Sequence, residues 1–256
     1  MIRVAAVGDV HYGRNCRNRL KKYFEGLGER SDLLLIAGDL TQSGTIDEAE
    51  ALVSDLKSAS VPVLTVLGNH DYHSGREGEI TALLREAGVG VLEGSTSVLS
   101  IRGLKVGVMG LKGFGGGFGG ACCTEFGEPE TKAFARFGKQ QAGILLKGLT
   151  ALRDQKLDYR FVLLHYSPID GTLLGEKREI YPFLGSYHLA DAIDEVGADG
   201  VFHGHAHYGT ERGVTPGGVP VRNVAQMVIR HAFNVYSFER GVGAEERVSD
   251  RVEETI

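Results

Sequence analysis

The chain has 256 residues, of which 42% are hydrophobic and 24% are charged, and its formal net charge is -5. These values are typical of a globular protein, and the negative charge argues against an extended nucleic-acid-binding surface while leaving small anionic substrates open where bound cations dominate the local field. No apolar run approaches membrane-spanning length and the amino terminus has no signal-peptide pattern, which predicts no membrane partner and a cytoplasmic location.

The domain organisation is predicted to be simple. We expect one domain over residues 1–256, because α/β folds of this size are commonly single units, with a solvated charged tail at 239–256. The three cysteines fit neither a CxxC metal motif nor a disulfide framework, so we expect free thiols. The pattern indicates no particular oligomeric state.

Apolar runs and helical periodicity predict an alternation of strands and helices along the chain. Strands are predicted at 4–7, 32–37, 61–67, 105–109, 158–164, 200–202, 219–224 and 233–238, with short strands at 89–92 and 97–101. Helices are predicted at 15–29, 45–59, 80–87, 130–153 and 189–196, the fourth with breaks near Gly138 and Gly143. The stretch 166–187 is predicted to be a long loop.

A glycine-rich segment at 113–120 follows the predicted strand 105–109. Its composition predicts a mobile loop. It is not a phosphate-binding loop of the Walker type, because no helix with the required Lys and Ser or Thr follows it. Its two aromatic residues, Phe114 and Phe118, are candidate substrate-binding residues, and the simpler alternative is a plain connector.

Five predicted strands are each followed at once by residues that bind metals or transfer protons. In chain order these are Asp9 and His11, Asp39, Asn69 to Asp71, His165, and the run from His203 to His207. Open α/β sheets place their ligand sites at the carboxyl ends of strands. We therefore expect these side chains to converge on one site.

Seven of these residues form a candidate metal-binding set. They offer carboxylate, carboxamide and imidazole donors but no thiolate, and they are Asp9, His11, Asp39, Asn69, His165, His205 and His207. Such a set suits Mn, Fe, Zn, Co or Ni in octahedral geometry rather than a structural zinc. Because seven protein ligands exceed what one such ion takes, the set predicts a pair of divalent or trivalent transition-metal ions that share a carboxylate.

The motifs GDVH at 8–11, GDL at 38–40, GNHD at 68–71, the isolated His165 and GHAH at 204–207 occur in an order that resembles the calcineurin-like metallophosphoesterase superfamily. The resemblance implies a four-layer α/β/β/α sandwich, with two central mixed sheets flanked by helices. It also implies that Asp9, His11 and His207 bind one metal, that Asn69, His165 and His205 bind the second, and that Asp39 bridges them.

The same resemblance implies a reaction. Two metals can activate a bridging hydroxide for attack on a phosphate ester, and His70 has no place among the ligands, which leaves it free to donate a proton or stabilise the phosphate. Asp71 is expected to orient or charge His70 if their side chains meet. The other histidines, His73, His188, His203 and His231, fit no motif and are expected to be structural or exposed.

One departure from the family pattern bears on the substrate. Branches that act on phosphoproteins have GDxxDRG after the bridging aspartate, whereas this chain has Gln42 and Ser43 in place of the second carboxylate and the arginine. The chain is more similar to bacterial and archaeal phosphodiesterase-like members, which predicts a small phosphodiester substrate. A phosphomonoesterase and a non-catalytic metal-binding scaffold are the alternatives.

Overall fold

The computed structural model describes residues 1–239 and 247–248, and it contains two large mixed β-sheets. The first sheet has the strand order β14-β13-β1-β2-β3-β4, in which β1 to β4 are parallel and β13 and β14 are antiparallel additions. Its strands are β1 (Ile2–Val7), β2 (Leu33–Ala37), β3 (Val63–Val66), β4 (Gly90–Val91), β13 (Asn234–Phe238) and β14 (Arg247–Val248).

The second sheet has the order β11-β12-β10-β9-β6-β5, with a parallel centre and antiparallel edges. Its strands are β5 (Ser95–Ile101), β6 (Leu104–Leu111), β9 (Tyr159–Leu164), β10 (Gly200–His203), β11 (Arg212–Val214) and β12 (Pro220–Asn223). A separate two-stranded hairpin joins β7 (Gly117–Phe118) to β8 (Ala121–Cys122).

Helices cover the outer face of each sheet. They are α1 (Lys21–Phe24), α2 (Leu27–Arg30), α3 (Ile46–Leu56), α4 (Glu77–Glu86), α5 (Pro129–Arg153), α6 (Tyr181–Leu184), α7 (Tyr187–Val196) and α8 (Gln226–Ile229). Helices α1 to α4 pack on the first sheet, and α5 and α7 pack on the second.

Successive side chains of a strand point to opposite faces of the sheet, and each face packs in a different apolar layer. In β1, Val4 and Ala6 lie in the apolar cluster between the two sheets, whereas Ala5 and Val7 lie in the cluster under the helices. A strand side chain changes face at every residue, so a strand that is apolar throughout is buried on both sides. The arrangement confirms the predicted four-layer α/β/β/α sandwich with two mixed sheets.

Several local predictions were wrong. The helix expected at 15–29 is two short helices, because Gly26 between them has a left-handed φ of 71°. The breaks expected near Gly138 and Gly143 are absent from α5, which runs unbroken from Pro129 to Arg153. Gly138 is buried there, and packing against the preceding loop outweighs the low helix propensity of glycine.

The loops also differ from expectation. Residues 113–118 of the glycine-rich segment are mostly buried, and the segment continues into the β7–β8 hairpin. The predicted loop 166–187 contains 3₁₀ turns at Asp170–Leu173 and Arg178–Ile180, and then α6. Strand β11 and helix α8 were not predicted. The tail predicted at 239–256 falls mostly outside the described residues.

Among the described residues, no helix combines the length and the apolar character that crossing a membrane would require.

Asp55 on α3 anchors the segment that follows the first site motif. Its carboxylate is fully buried and accepts hydrogen bonds from the Tyr12 hydroxyl at 2.7 Å, the Asn18 amide at 2.7 Å and the Leu20 amide at 2.9 Å. Buried donors that lose their acceptor cost free energy because they leave water without compensation. Asp55 therefore fixes residues 12–20 against helix α3.

We expect Asp55→Ala to lower the free energy of unfolding by about 2–4 kcal/mol, because it leaves buried donors unpaired. Urea denaturation measures the loss. Glu50→Ala on the same helix is the matched control, because Glu50 pairs with Arg17 at 3.5 Å at an exposed position and such pairs contribute little. Equal stability of the two variants would contradict this role for Asp55.

Candidate metal centre

The candidate site lies where strands of both sheets end. Asp9 and Asp39 follow β1 and β2, and the two turns are joined by backbone hydrogen bonds from the Asp9 amide to Gly38 and from the His11 amide to Asp39, each 3.0 Å long. His165 follows β9 in the second sheet, and the Gly204 amide donates to its carbonyl oxygen at 3.1 Å. The sandwich therefore brings together motifs that are far apart in sequence.

The first group contains Asp9, His11, Asp39 and His207, whose ligand atoms all lie within 4.8 Å of one another. His207 Nε2 is 2.8 Å from Asp9 Oδ1 and 3.4 Å from His11 Nε2. His11 Nε2 is 3.8 Å from Asp39 Oδ2. Ligands bound at about 2.1 Å to one octahedral ion lie about 3 Å apart, so these separations fit a shared ion.

The second group contains Asp39, His165 and His205, whose ligand atoms also lie within 4.8 Å of one another. His165 Nε2 is 3.3 Å from Asp39 Oδ1 and 3.0 Å from Asn69 Oδ1. The two oxygens of Asp39 thus face different groups, with Oδ2 towards His11 and Oδ1 towards His165. All seven predicted donors are brought together, and Asp39 belongs to both groups.

Backbone carbonyl groups orient two of the histidines. His165 Nδ1 lies 2.8 Å from the carbonyl oxygen of Ala37, and His205 Nε2 lies 3.1 Å from that of Phe183. A ring nitrogen that faces a carbonyl oxygen must carry the proton, which leaves the lone pair on the other nitrogen. Nε2 of His165 and Nδ1 of His205 are therefore the nitrogens available to a metal.

The backbone of the site is strained. Asp9, His11, Asp39 and His205 have positive φ values of 56°, 41°, 48° and 70°. Non-glycine residues rarely adopt this left-handed region, and residues held there concentrate at functional sites. Four of the seven predicted ligands are thus held in conformations that the surrounding fold must stabilise.

Two motif glycines are explained by close approach to the carboxylates. A Cβ atom at Gly68 would lie 2.1 Å from Asp39 Oδ1, and a Cβ atom at Gly204 would lie 2.1 Å from Asp9 Oδ2. Any larger residue would push the carboxylate out of place. The glycines of GNHD and GHAH therefore allow the carboxylates to sit against the neighbouring turns.

The electrostatics favour neutral imidazoles at three of the four predicted histidine ligands, namely His11, His165 and His205. Burial lowers the pKa of His11 to about 4 and that of His205 to about 3, and it holds the pKa of His165 well below the usual value. Burial also raises the pKa of Asp9 to about 6, while the hydrogen bond to Asp9 raises the pKa of His207. Neutral imidazoles beside desolvated carboxylates are the environment in which a cation is bound favourably.

The donor set and the separations therefore fit two transition-metal ions. His70 lies beside them without joining either group. Its Nδ1 is 2.7 Å from the carbonyl oxygen of Gln42, its Nε2 is 3.9 Å from Asp39 Oδ2, and its ring packs edge-on against His11 with the centroids 4.5 Å apart. His70 is partly exposed, so it is accessible to a ligand.

Asp71 does not contact the His70 ring, contrary to the expected role. Its buried carboxylate accepts hydrogen bonds from the amides of Gly68, Leu40 and Thr41 and from the Thr41 hydroxyl, at 2.6–3.1 Å. These donors belong to the turns that carry Asn69 and Asp39. Asp71 therefore joins the two turns, and the carbonyl group of Gln42 orients His70 instead.

The two phenylalanines of the glycine-rich segment differ in position. Phe118 is 3% exposed and packs with Leu173, Leu184 and Ala206. Phe114 is half-buried, with its ring centroid 5.9 Å from that of Tyr166, and the Tyr166 ring is 4.4 Å from that of His205. Only Phe114 is thus connected to the site by aromatic contacts.

Lys112 is a candidate site residue that sequence reasoning missed. Its Nζ lies 4.9 Å from the ring centroid of Tyr72, 5.6 Å from that of Phe114 and 5.4 Å from that of Tyr166. Burial lowers its pKa, which the charges of Glu93 and Asp39 partly offset. It follows strand β6, so its place after a predicted strand was the signal that could have found it.

Histidines outside the motifs lie elsewhere. His203 is fully buried, and its ring contacts the Thr172 hydroxyl at 2.8 Å and the carbonyl oxygen of Gly204 at 2.8 Å. His188 lies on α7, 3.7 Å from Asp191. His73 borders the same cavity as His70 without joining either candidate metal group.

Comparison with known sequences and structures places this geometry in context. A sequence model for the family described as calcineurin-like phosphoesterase matches residues 2–209. This match supports a metal-dependent phosphoester hydrolase, and a small-molecule phosphate ester is a substrate consistent with the family. A search of curated protein sequences finds no match.

Similar structures have low sequence identity. The phosphopantetheinyl hydrolase PptH from Mycobacterium tuberculosis is 18% identical, with a TM-score of 0.63 over 87% of this chain and 88% of that chain. A putative 5′-nucleotidase from Staphylococcus aureus is 17% identical, with a TM-score of 0.60 over 100% of this chain and 56% of that chain. GAP50, the anchor in the inner membrane complex of Plasmodium, is 13% identical, with a TM-score of 0.57 over 92% of this chain and 80% of that chain. These identities show a shared fold alone.

We expect the protein loaded with Mn to bind about two ions per chain, and we expect Asp39→Asn to weaken both sites because that carboxylate belongs to both groups. Elemental analysis after removal of free metal measures the content. His188→Gln is the control, because His188 lies outside both groups. Full metal content in Asp39→Asn, or none in the unmodified protein, would contradict the shared role.

Proposed function

The chain belongs to the calcineurin-like phosphoesterase family, and we propose that it hydrolyses small phosphodiesters at a pair of metal ions, with His70 as the proton donor. The observation that carries the proposal is Asp39, whose two carboxylate oxygens face two separate groups of ligand atoms. A carboxylate placed in this way suits two ions close together, as in enzymes that cleave phosphate esters by in-line displacement.

Each residue of the centre has a proposed role. Asp9, His11 and His207 would hold one ion, Asn69, His165 and His205 would hold the other, and Asp39 would contact both. When bound, such ions supply Lewis acidity and lower the pKa of coordinated water. The carbonyl groups of Ala37 and Phe183 keep His165 and His205 in the tautomers that binding requires.

His70 is proposed to protonate the leaving oxygen or to stabilise the phosphate. The carbonyl oxygen of Gln42 accepts from its Nδ1, which leaves Nε2 on the side of Asp39, 3.9 Å from Oδ2 of that carboxylate. A second proton on Nε2 would be the one donated.

The preference for diesters is supported by the cavity beside His70. This cavity has a volume of about 300 Å³ and is lined by Gln42, Ser43, Asn69, His70 and His73. None of these described lining residues is an arginine or a lysine. A diester carries an organic group on each of two phosphate oxygens, whereas a monoester carries one, so a cavity beside the metal groups that can hold an uncharged ester group suits the diester better.

Phe114 and Lys112 are proposed to line the substrate path on the opposite side of the second metal group. The Lys112 ammonium group lies over aromatic rings that include Phe114, which keeps both side chains close to Tyr166 and His205. An aromatic face there can stack on a ring of the substrate. A contact from Phe118 would require this segment to rearrange, because Phe118 is buried.

The same residues bear on the two alternatives, a non-catalytic scaffold and a phosphomonoesterase. GAP50 shares the fold and is described as an anchor, so the fold alone does not require catalysis. Here all seven donors are present and converge, which favours an enzyme over a scaffold. A phosphomonoesterase with the same centre is the alternative that a substrate comparison must separate.

We expect the Mn-loaded protein to hydrolyse bis(4-nitrophenyl) phosphate with a higher kcat/KM than 4-nitrophenyl phosphate, and to act weakly on a phosphopeptide. The reason is the cavity beside His70, which can hold the second ester group that a monoester lacks. Steady-state kinetics on the three substrates provides the measurement, with Asp39→Asn as the inactive control. A clear preference for either monoester would defeat the diester proposal.

We expect His70→Ala to lower kcat for a dialkyl diester by about 10²–10⁴-fold, because an alkoxide needs a proton to leave. The loss on bis(4-nitrophenyl) phosphate should be much smaller, since nitrophenolate is a stable leaving group. Metal content should stay unchanged. His73→Ala is the matched control, because His73 borders the same cavity.

Three outcomes separate the roles of His70. A loss concentrated on the dialkyl ester supports proton donation. An equal loss on both esters indicates that His70 positions the phosphate. A loss of bound metal means that His70 is a ligand, which contradicts the assignment.

A further inference from the structure

A second and larger cavity adjoins the candidate centre on the side of the first metal group. It has a volume of about 610 Å³, and its lining includes His207, Arg19, Arg230, Gln226, Met227 and Tyr208. This volume lies in the range of small-molecule binding sites. His207, a predicted metal ligand, therefore forms one wall of this cavity. The other lining residues have no proposed role at the metal centre.

The cavity is positively charged. Arg19 and Arg230 line it, and none of the described lining residues carries a carboxylate. Neither arginine forms an ion pair with a carboxylate among the described residues. Two arginines without such partners beside one cavity are suited to an anionic ligand, because a guanidinium group binds phosphate or carboxylate oxygens in pairs.

Two contacts within the protein hold the Arg19 side chain in place. Its guanidinium carbon lies 4.6 Å above the ring centroid of Tyr12, and its Nη2 donates a hydrogen bond to the carbonyl oxygen of Val10. Val10 lies between the predicted ligands Asp9 and His11. The charge of Arg19 is accordingly fixed beside the first metal group and does not depend on the ligand for its position.

Arg230 is held through its backbone. It follows α8 with a left-handed φ of 56°, and its amide donates to the carbonyl oxygen of Gln226 at 2.9 Å. Its side chain is exposed and makes no hydrogen bond within the described residues. A glycine would occupy this conformation with less strain, so local structure gives no reason for an arginine here.

The rest of the lining suits an organic group. Tyr208 is 72% exposed and Met227 is 59% exposed, although both are large and apolar. The side-chain nitrogen of Gln226 has no hydrogen-bond partner within the described part of the chain. An apolar wall next to two cations and an unused amide is suited to a ligand that combines a ring or chain with an anionic group.

We propose that this cavity binds the part of the substrate that is not cleaved off, and that Arg19 and Arg230 hold a second anionic group carried by that part. The proposal rests on the proposed function, because it requires the reacting phosphate to lie at the metal centre. The substrate class is thus a phosphodiester with a further phosphate or carboxylate group, such as a phosphorylated nucleoside ester.

Two esters that differ only in the second anion test the proposal. They are thymidine 5′-(4-nitrophenyl phosphate) and the same ester with a phosphate on the 3′ oxygen, and bis(4-nitrophenyl) phosphate is the reference. We expect the 3′-phosphorylated ester to have a KM lower by roughly tenfold or more, the equilibrium equivalent of one hydrogen bond between charged groups. The difference should shrink as salt is added.

Variants at Arg230 separate binding from folding. Arg230→Gln and Arg230→Gly should each raise KM for the 3′-phosphorylated ester towards that of the unmodified ester, with kcat and the reference reaction unchanged. Arg230→Gly should be at least as stable as the parent protein in urea denaturation, because glycine relieves the left-handed φ. Arg212→Gln is the matched control, since Arg212 is exposed on strand β11 away from the cavity.

The outcomes distinguish this proposal from the proposed function. If the parent protein hydrolyses none of the three esters, the proposed function fails. If it hydrolyses all three with equal KM values, the function stands and the second-anion site is overturned. If the Arg230 variants lose activity equally on the reference ester, Arg230 contacts the reacting phosphate, which also overturns the proposal.

Discussion

The rest of the site depends on the position of one buried carboxylate, that of Asp39. It lies in a left-handed turn directly after strand β2 of the first sheet, and each of its oxygens faces a different group of ligand atoms. The His70 amide donates to Oδ1 at 2.9 Å, so the same carboxylate also fixes the turn that carries the proposed proton donor. Packing of the two sheets supplies the free energy that holds this strained turn, because the strands on either side are buried on both faces.

Asp71 holds the two neighbouring turns in position. Its carboxylate accepts hydrogen bonds from both the Leu40 to Thr41 turn and the Gly68 turn, and burial raises its pKa to about 6. The four donors offset much of the cost of burying the charge. A site built on strand ends and braced in this way is preorganised, since the ligand-bearing turns do not need to move towards one another when a cation binds.

Features that depend on neighbouring residues could be predicted from the sequence, whereas features that depend on contacts between distant segments could not. The strands and the converging strand-end residues were predictable, because apolar runs and glycine turns are local signals. Helix α8 and the position of Arg19 and Arg230 at the same cavity were not predictable. They depend on contacts between distant segments, such as the hydrogen bond from the Gln226 amide to Gly8 at 2.9 Å. The role of Asp71 was missed for the same reason: its partners are close in sequence only at Gly68, and the others lie about thirty residues earlier.

The two cavities make the centre asymmetric, and the asymmetry bears on how a substrate would be oriented. The cavity at His70 is the smaller, about 300 Å³, and has no permanent cation in its described lining, whereas the cavity at His207 is about 610 Å³ and has two arginines. In-line displacement places the leaving oxygen opposite the attacking oxygen. If His70 protonates the leaving oxygen, the leaving group lies in the smaller cavity and the retained part lies with the arginines. The retained part then gains most of the binding free energy, while the leaving alcohol makes few contacts and departs easily. Selectivity would therefore reside in the group that stays attached to the phosphate, and the chain could accept different leaving alcohols on one class of charged phosphoryl group.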